Sequence, residues 1–246
     1  MYNNLKQILK GILPRKALFQ CEPFLHRILY LFYKGNKYQC NICNGNLRSF
    51  IVLADGDKLC PKCGSISRNR RLWGLLKKEF IRDKITILDF SPSRCLYRIL
   101  EKNNSITYIG SDISGDFLSE KQYDITKIDA KDDSFDLIIC YHILEHIEND
   151  IKAMKEIYRI LKKKGSCIIQ TPFKEGDIYE NPLIKTETER LKHFGQKDHV
   201  RVYSVDGLAL RLSDCGFKTD IRYFEESSDN EFGLNIRETI LVCSKQ

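Results

Sequence analysis

From Lys84 onward, short apolar runs alternate with amphipathic helical patterns. The runs KITILDF, SITYIGSD and SFDLIICYH have the length and β-branched content of buried strands. Between about residues 148 and 163, apolar residues recur three and four positions apart, which is the period of an α-helix. Strands that alternate with helices are typical of βαβ units. The sequence therefore predicts an α/β fold over residues 84–246, with a Rossmann-like, doubly wound and mainly parallel sheet.

The finer boundaries of this domain follow from the same patterns. We expect a short third strand near residues 121–125, and we expect Gly165 to end the helix before the strand SCIIQTP. The tail predicts one more helix, VDGLALRLSDCGF, and two strands, FKTDIRYFE and RETILVCSK.

Four cysteines form two close pairs with the pattern C-x2-C-x16-C-x2-C, namely Cys40, Cys43, Cys60 and Cys63. This spacing is typical of a zinc ribbon, here over residues 35–66, with a hairpin turn at 55–57 between the pairs. Four sulfur ligands leave no open position, so we expect a structural Zn2+ ion. Four free cysteines or two disulfides are the alternative.

The remaining cysteines favour a reducing compartment. Cys140, Cys167 and Cys243 lie within apolar runs and are expected to be small buried hydrophobic residues. No uncharged apolar run has the length of a transmembrane segment. We therefore expect a cytoplasmic protein.

Residues 1–34 form a basic amphipathic segment that Pro14 and Pro23 are expected to break into two helical pieces. Such a segment could make a peripheral contact with an anionic membrane or pack on the chain's own domain. The net charge is +7, and its excess in the first third indicates an anionic partner or a solvated basic face. A connecting segment, 67–83, with a helix from about 67 to 80, follows the ribbon.

Candidate cofactor-binding residues follow the predicted strands, at the position where a cofactor binds in this class of fold. They are Asp89, Phe90 and Ser91 after the first strand, Asp112 after the second, Asp124 after the third, and Tyr141 and His142 after the fourth. Carboxylates at successive strand ends would face one shared site.

The run YDITKIDAKDDSFDLIICYHILEHIENDIKAMKEIYRILKKKG resembles the class I S-adenosylmethionine-dependent methyltransferases, particularly the type 11 branch, and the resemblance covers about 84–246. It implies S-adenosylmethionine as cofactor. Asp112 would bind the ribose with Ile113 beside it, and Asp124 would meet the adenine amino group with Ile125 on the ring. Asp89, Phe90 and Ser91 would hold the methionine end, and Tyr141 and His142 would line the pocket opposite.

One loop departs from that family. Its glycine-rich D-x-G-x-G-x-G is replaced here by Asp89-Phe90-Ser91-Pro92-Ser93-Arg94, which removes the residue type that allows close backbone approach. A branch of the family with an L-x-F-A-P-E loop also carries a ribbon with CPxCGSxxR, and this chain is similar to it in LDFSPS and CPKCGSISR.

The segment HFGQKDHVRVYS resembles the FGQxDHVRxY run of the same branch. We expect His199 to act as a base with Asp198 beside it, and Arg201 to bind an anionic acceptor together with His193 and Tyr203. Alternatively, Asp198 and Arg201 tie the loop to the domain. The HILEH run, with His142, Glu145 and His146, has the spacing of metal ligands but not the order of a zinc protease. We expect no second metal there.

Three functions fit these patterns. The first is a methyltransferase for a small-molecule or glycan-type acceptor. The second is an RNA methyltransferase that uses the ribbon for substrate binding, although residues 38–64 carry no dense Lys/Arg cluster. The third is a protein that binds S-adenosylmethionine without catalysis.

Overall fold

A computed structural model of the protein describes residues 15–225 and 229–245. The chain forms two compact units. We call residues 15–79, 93–96 and 229–236 the ribbon unit, and residues 80–92, 97–225 and 237–245 the sheet unit. No helix of the described residues is long and apolar enough to cross a bilayer.

The ribbon unit is built from two helices and two small hairpins. Its elements are α1 (Arg15–Tyr33), β1 (Lys34–Cys40), β2 (Gly45–Leu47), β3 (Ile51–Val52), β4 (Lys58–Leu59) and α2 (Ser67–Leu75), followed by one π-helical turn, Leu76–Phe80. Strands β1 and β2 pair antiparallel, as do β3 and β4. The turn between β3 and β4 closes with a 2.9 Å hydrogen bond from Leu53 N to Asp57 O, and Gly56 takes a left-handed φ of +84°. The predicted hairpin is confirmed.

Helix α1 runs through Pro23, so the predicted break at that residue is wrong. The helix continues because its later residues are anchored on the ribbon unit: the buried His26 Nδ1 lies 3.0 Å from Pro61 O. The opposite side of α1 leaves Phe24, Ile28 and Leu31 exposed. Pro14 and the first helical piece lie outside the described residues.

A fully buried arginine holds the ribbon unit together. Arg70 donates to the carbonyl oxygens of Ser65 at 2.8 Å, Lys58 at 2.8 Å, Phe232 at 2.6 Å and Gly233 at 2.8 Å. Burial lowers the pKa of this guanidinium. Because carbonyls on three separate segments share one cation, Arg70 ties the segment 229–236 to the ribbon.

The sheet unit contains the remaining elements. They are β5 (Thr86–Phe90), α3 (Arg94–Leu100), β6 (Thr107–Ser111), β7 (Phe135–Tyr141), a 3-10 turn (Leu144–His146), α4 (Asp150–Ile160), β8 (Leu161–Gln170), β9 (Tyr179–Glu180), α5 (Glu187–Phe194), β10 (Arg201–Val202), α6 (Val205–Asp214), β11 (Lys218–Glu225) and β12 (Arg237–Ser244).

Six of these strands form one sheet in the order β11-β12-β8-β7-β5-β6. Strands β8, β7, β5 and β6 are parallel, and β12 is antiparallel to both of its neighbours. The predicted mainly parallel sheet is confirmed. Strand β5 lies between β6 and β7, so the carboxyl ends of these three strands meet at one edge.

The core of the sheet unit lies between the sheet and the apolar sides of its helices. Helix α4 buries Met154 and Ile157 completely, in agreement with its predicted stripe. Cys140, Cys167 and Cys243 are fully buried and reduced, as expected for small apolar residues.

Two predicted boundaries are wrong. Residues 121–125 form no strand; a single bridge joins Ser111 to Lys121, and the chain then turns at Asp124. Helix α4 ends at Ile160, and Gly165 lies inside β8 instead of capping the helix. Leu161 explains the early end, because it is fully buried and pairs with Phe135 of β7.

Candidate functional site

The carboxyl ends of β5 and β6 are joined by side-chain and backbone hydrogen bonds. Ser91 Oγ donates to Asp112 Oδ1 at 2.8 Å, and Ser91 N donates to Ser111 O at 2.7 Å. The structure thus brings together two of the predicted site residues that lie 21 positions apart in sequence.

The Asp112 carboxylate is buried and partly satisfied by the loop that follows it. Its Oδ2 accepts from Ser114 Oγ at 2.8 Å, from Asp116 N at 2.9 Å and from Phe117 N at 3.3 Å, whereas the described partner of Oδ1 is Ser91. An ionised carboxylate has about four acceptor positions. Oδ1 therefore retains capacity for a ligand hydroxyl, and a second hydroxyl would replace that of Ser114.

Asp89 is a second buried carboxylate at this edge. Tyr108 donates its hydroxyl to Asp89 Oδ2 at 2.9 Å. Burial raises the pKa of Asp89 to about 7, and the hydrogen bond from Tyr108 opposes that shift only in part. A cationic partner, such as the ammonium group of an amino acid, would stabilise the ionised form of Asp89.

The backbone at this edge takes a left-handed conformation at two residues other than glycine. Ser91 has φ of +48° and His142 has φ of +55°, both in the left-handed region that favours glycine. Left-handed conformations of residues other than glycine occur often at functional sites. Ser91 thus takes a glycine-like turn while adding a hydroxyl that glycine lacks.

The expected adenine contacts are arranged differently from the prediction. Ile125 is 5% exposed and packs in the core, whereas Ile113, directly after Asp112, is 66% exposed. Asp124 is exposed and accepts from Thr126 N and Thr126 Oγ1, each at 2.8 Å. The apolar side chain open to a ligand here is therefore Ile113, not Ile125.

After β7 the chain places a buried carboxylate beside two histidines. Glu145 lies in the 3-10 turn, and its Oε1 is 3.2 Å from His142 Nδ1. Burial acts to raise the pKa of Glu145, but hydrogen bonding and charge from His142 outweigh it, so the pKa is lowered. Tyr141 and His142 are half-buried at this end of β7.

His199 approaches the same turn from the loop before β10. Its ring stands edge-on to His146, with centroids 4.7 Å apart and an interplanar angle of 83°. Val200 N donates to Glu145 O at 2.9 Å and fixes the loop there. Burial lowers the pKa of His199, and the neighbouring His146 adds to that effect. His199 is thereby favoured in its neutral form.

Asp198 does not pair with His199 as predicted. Its carboxylate Oδ2 lies 3.4 Å from Nδ1 of His146, and the Asp198 side chain is 62% exposed. Asp198 therefore orients His146.

Arg201 and Tyr203, which were expected to bind an acceptor, lie in a buried network. Arg201 Nε donates to Glu180 Oε2 at 2.8 Å, and its terminal nitrogens donate to the carbonyl oxygens of Leu144, Ile147 and Glu148. Tyr203 is fully buried and donates to Asp150 Oδ2 at 2.5 Å. These contacts match the alternative in which Arg201 ties the loop to the domain.

The third residue predicted to bind the acceptor, His193, is exposed on α5. Its Nδ1 lies 2.7 Å from the hydroxyl oxygen of Tyr179.

In the ribbon unit, the four predicted zinc ligands converge. The sulfur atoms of Cys40, Cys43, Cys60 and Cys63 all lie within 4.8 Å of one another. The Sγ to Sγ distances are 3.6 Å from Cys40 to Cys63 and 3.8 Å from Cys43 to Cys60. Four sulfurs at about 2.3 Å from a tetrahedral zinc ion would be about 3.8 Å apart. The cluster fits a zinc ion, and the thiols are not joined as disulfides.

Comparisons with known proteins identify the family of the chain. A model of the methyltransferase domain family matches residues 66–220. An uncharacterized protein of Methanocaldococcus jannaschii is 32% identical over 148 residues, which cover 57% of this chain and 62% of that protein. The alignment thus spans less than two thirds of this relative's length.

Two solved structures share the fold. The YcgJ protein of Bacillus subtilis aligns with a TM-score of 0.51 and 16% identity, over 72% of this chain and 99% of that chain. Phosphoethanolamine N-methyltransferase 2 of Haemonchus contortus, solved with phosphomonomethylethanolamine and S-adenosylhomocysteine, aligns with a TM-score of 0.51 and 14% identity, over 72% of this chain and 52% of that chain.

Proposed function

Because this chain belongs to the methyltransferase domain family, we propose that it is an S-adenosylmethionine-dependent methyltransferase that acts on a small-molecule or glycan-type acceptor. The donor lies at the carboxyl ends of β5, β6 and β7. We also assign a structural zinc ion to the four ribbon cysteines, and place the enzyme in the reducing cytoplasm, where ten free cysteines persist.

The coupling of Ser91 to Asp112 is the observation that supports this placement most strongly. It keeps a buried carboxylate in one orientation at the end of β6, and Oδ1 can accept a ribose hydroxyl. Ile113 offers an exposed apolar side chain for one side of the adenine ring, and Asp124 offers an exposed carboxylate for its amino group.

The amino acid end of the donor would lie beside β5. Asp89 is buried, which raises its pKa to about 7, and an ammonium group bound next to it would lower that pKa again. Charge pairing between Asp89 and the methionine ammonium would orient the sulfonium group. The Asp89-Phe90-Ser91 turn then supplies the close backbone approach that glycines supply elsewhere in the family.

The bound donor supplies an electrophilic methyl group, which is transferred by in-line displacement at carbon. The protein's residues contribute position and a dry environment. On the acceptor side, His199 presents a neutral imidazole whose Nε2 has no hydrogen-bond partner among the described residues. That lone pair is available to accept a proton or to bind a cation.

Donor binding is tested by titrating S-adenosylhomocysteine into the full chain and measuring heat. We expect saturable binding by the natural protein and a loss of at least about tenfold in affinity for Asp112→Ala, since a charge-assisted hydrogen bond contributes about 1.5–3 kcal/mol. Asp129→Ala, which removes an exposed carboxylate elsewhere on the sheet unit, is the matched control and should bind normally. Equal binding by both variants would contradict the proposal.

The acceptor class is tested with S-adenosylmethionine that carries a labelled methyl group. We expect label in the small-molecule or glycan fraction of a cell extract. Label in RNA, with retention on RNA that falls steeply as salt rises, would contradict the proposed acceptor. Donor binding without any transfer would indicate a protein that binds S-adenosylmethionine without catalysis.

A further inference from the structure

The HILEH segment, residues 142–146, lies between β7 and α4. It folds as a 3-10 turn, Leu144–His146, and helix α4 begins only at Asp150. His199, from a loop more than fifty residues later in the chain, lies against this turn. One ligand atom each from Glu145, His146 and His199 can be chosen so that all three atoms lie within 4.8 Å of one another.

Several polar atoms of this cluster are buried without hydrogen-bond partners. Glu145 is 1% exposed and His199 is 3% exposed. Within the described chain, Nε2 of His199, Nε2 of His142 and Oε2 of Glu145 have no hydrogen-bond partner, whereas Oε1 of Glu145 lies 3.2 Å from Nδ1 of His142. Folded proteins rarely leave such atoms unsatisfied, and the exceptions call for an ion or another partner.

The groups around the cluster orient it as outer partners orient metal ligands. Nδ1 of His146 lies 3.3 Å from the carbonyl oxygen of Asp198 and 3.4 Å from its Oδ2, which leaves Nε2 of His146 for another contact. A carboxylate or carbonyl on the second ring nitrogen is the usual arrangement of a metal-bound histidine. Arg201 holds the 3-10 turn in place by donating hydrogen bonds to the carbonyl oxygens of Leu144 and Ile147.

We propose that Glu145, His146 and His199 bind a divalent transition metal ion. Imidazole nitrogens and one carboxylate suit Mn2+, Fe2+, Co2+, Ni2+ and Zn2+. With metal–ligand distances of about 2.1 Å, two ligand atoms on one ion are at most about 4.2 Å apart, so the cluster closes by a few tenths of an ångström on binding. This proposal replaces the expectation from the sequence that the HILEH run binds no second metal.

The proposed metal site follows the carboxyl end of β7, and we infer from this position that the ion takes part in methyl transfer. His142 directly follows β7, and the end of β7 pairs with the end of β5 at Cys140 and Phe90. Three protein ligands leave at least one coordination position open for an oxygen of the acceptor. This part of the inference rests on the proposed function, whereas binding of the ion does not.

A hydroxyl group bound to the ion loses its proton to solvent more readily, because the metal stabilises the alkoxide. The oxygen then forms a bond to the methyl carbon while the carbon–sulfur bond breaks and its electron pair stays on sulfur. The acceptor class that follows is an alcohol, phenol or sugar hydroxyl. His199 serves here as a metal ligand instead of a base.

The test is a titration with Mn2+ of the full chain that holds one zinc ion per chain, at the four cysteines, monitored by the electron paramagnetic resonance signal of the free Mn2+ ion. Mn2+ prefers oxygen and nitrogen ligands and does not displace zinc from four thiolates. We expect the natural protein to bind one Mn2+ ion. Glu145→Gln and His199→Ala should each lower the affinity at least tenfold. Glu148→Gln changes a side chain that is 82% exposed three residues away, and should bind as the natural protein does.

Absence of Mn2+ binding by the natural protein, or unchanged binding by Glu145→Gln, would overturn the proposal. Glu145→Gln keeps the size of the side chain, so it remains informative if His199→Ala fails to fold. Titration with S-adenosylhomocysteine in parallel separates the two claims: Mn2+ binding without cofactor binding would overturn the proposed function and leave the metal site standing.

Discussion

Ser91 Oγ lies 2.8 Å from Asp112 Oδ1, so the turn after β5 holds the carboxylate at the end of β6. This contact explains why the chain can dispense with the glycine-rich loop of its family. Ser91 adopts the left-handed backbone that a glycine would adopt, and in exchange its hydroxyl fixes the predicted ribose-binding group.

Two variants at Ser91 separate the effect of its hydroxyl group from the effect of its left-handed backbone. Both Ser91→Ala and Ser91→Gly remove the hydroxyl, and we expect each to weaken S-adenosylhomocysteine binding by about three- to tenfold, equivalent to one hydrogen bond. Ser91→Gly should be more stable than Ser91→Ala by about 1 kcal/mol, because glycine relieves the left-handed strain. Calorimetric titration and urea unfolding measure the two quantities. Equal stability of the variants would mean that the backbone is not strained.

Asp89 should make stability fall as the pH rises. Its folded pKa is about 7, whereas its unfolded pKa is near 3.8, so between these values the unfolded chain has lost a proton that the folded chain retains. The free energy of unfolding therefore decreases through this window, by at most about 1.4 kcal/mol per pH unit.

The variant Asp89→Asn cannot ionise and should lose that dependence. We expect the difference in unfolding free energy between Asp89→Asn and the natural protein to favour the variant more at pH 8 than at pH 5. Affinity of the natural protein for S-adenosylhomocysteine should increase as pH rises through 7, because Asp89 must ionise to pair with the ammonium group. A flat difference between the two pH values would contradict the assigned burial effect.

The ribbon should depend on its metal. Cys40→Ser removes one of four sulfurs and should lower the zinc content of the purified protein from one ion per chain toward zero, with faster proteolysis between residues 35 and 66. Cys21→Ser, at an exposed cysteine outside the cluster, should retain its zinc. Elemental analysis and limited proteolysis decide the matter. A natural protein without zinc would refute the assignment.

Arg201 should contribute to stability and to the position of His199 instead of binding the acceptor directly. Arg201→Gln leaves Glu180 and the carbonyl oxygens of Leu144 and Glu148 without their partner, and we expect a loss of about 3 kcal/mol in unfolding free energy. Arg222→Gln breaks an ion pair with Asp220 on β11 and should cost less than about 1 kcal/mol. A stable Arg201→Gln variant with a raised KM alone would favour the acceptor clamp.

The elements set by local patterns could be predicted from the sequence. Alternating apolar runs located the strands of the sheet, and the cysteine spacing located the ribbon, because each pattern depends on residues close together in the chain. The predicted strand at residues 121–125 failed because one bridge at Lys121 satisfied its backbone before the turn at Asp124. The predicted helix end at Gly165 failed because burial of Leu161 in β8 outweighed a glycine signal.

The chemistry of the site was less predictable because it depends on contacts between distant residues. Nothing near His199 in sequence indicates that it meets Glu145, and only the fold brings them together. Arginine is a residue type that usually lies at the solvated surface. Arg70 and Arg201 are nevertheless buried, because carbonyl oxygens from separate segments accept hydrogen bonds from each of them. Ile113 and Ile125 are equally apolar, and only the structure distinguishes the exposed side chain from the buried one.

The most direct test of the central claim is a crystal structure of the full chain with S-adenosylhomocysteine. We predict ribose hydroxyls within about 3 Å of Asp112 Oδ1 and Oδ2, with Ser114 displaced from Oδ2, Ile113 against the adenine ring and the amino group beside Asp89. A ligand bound elsewhere, or one that leaves Asp112 paired with Ser91 and Ser114 alone, would contradict the account.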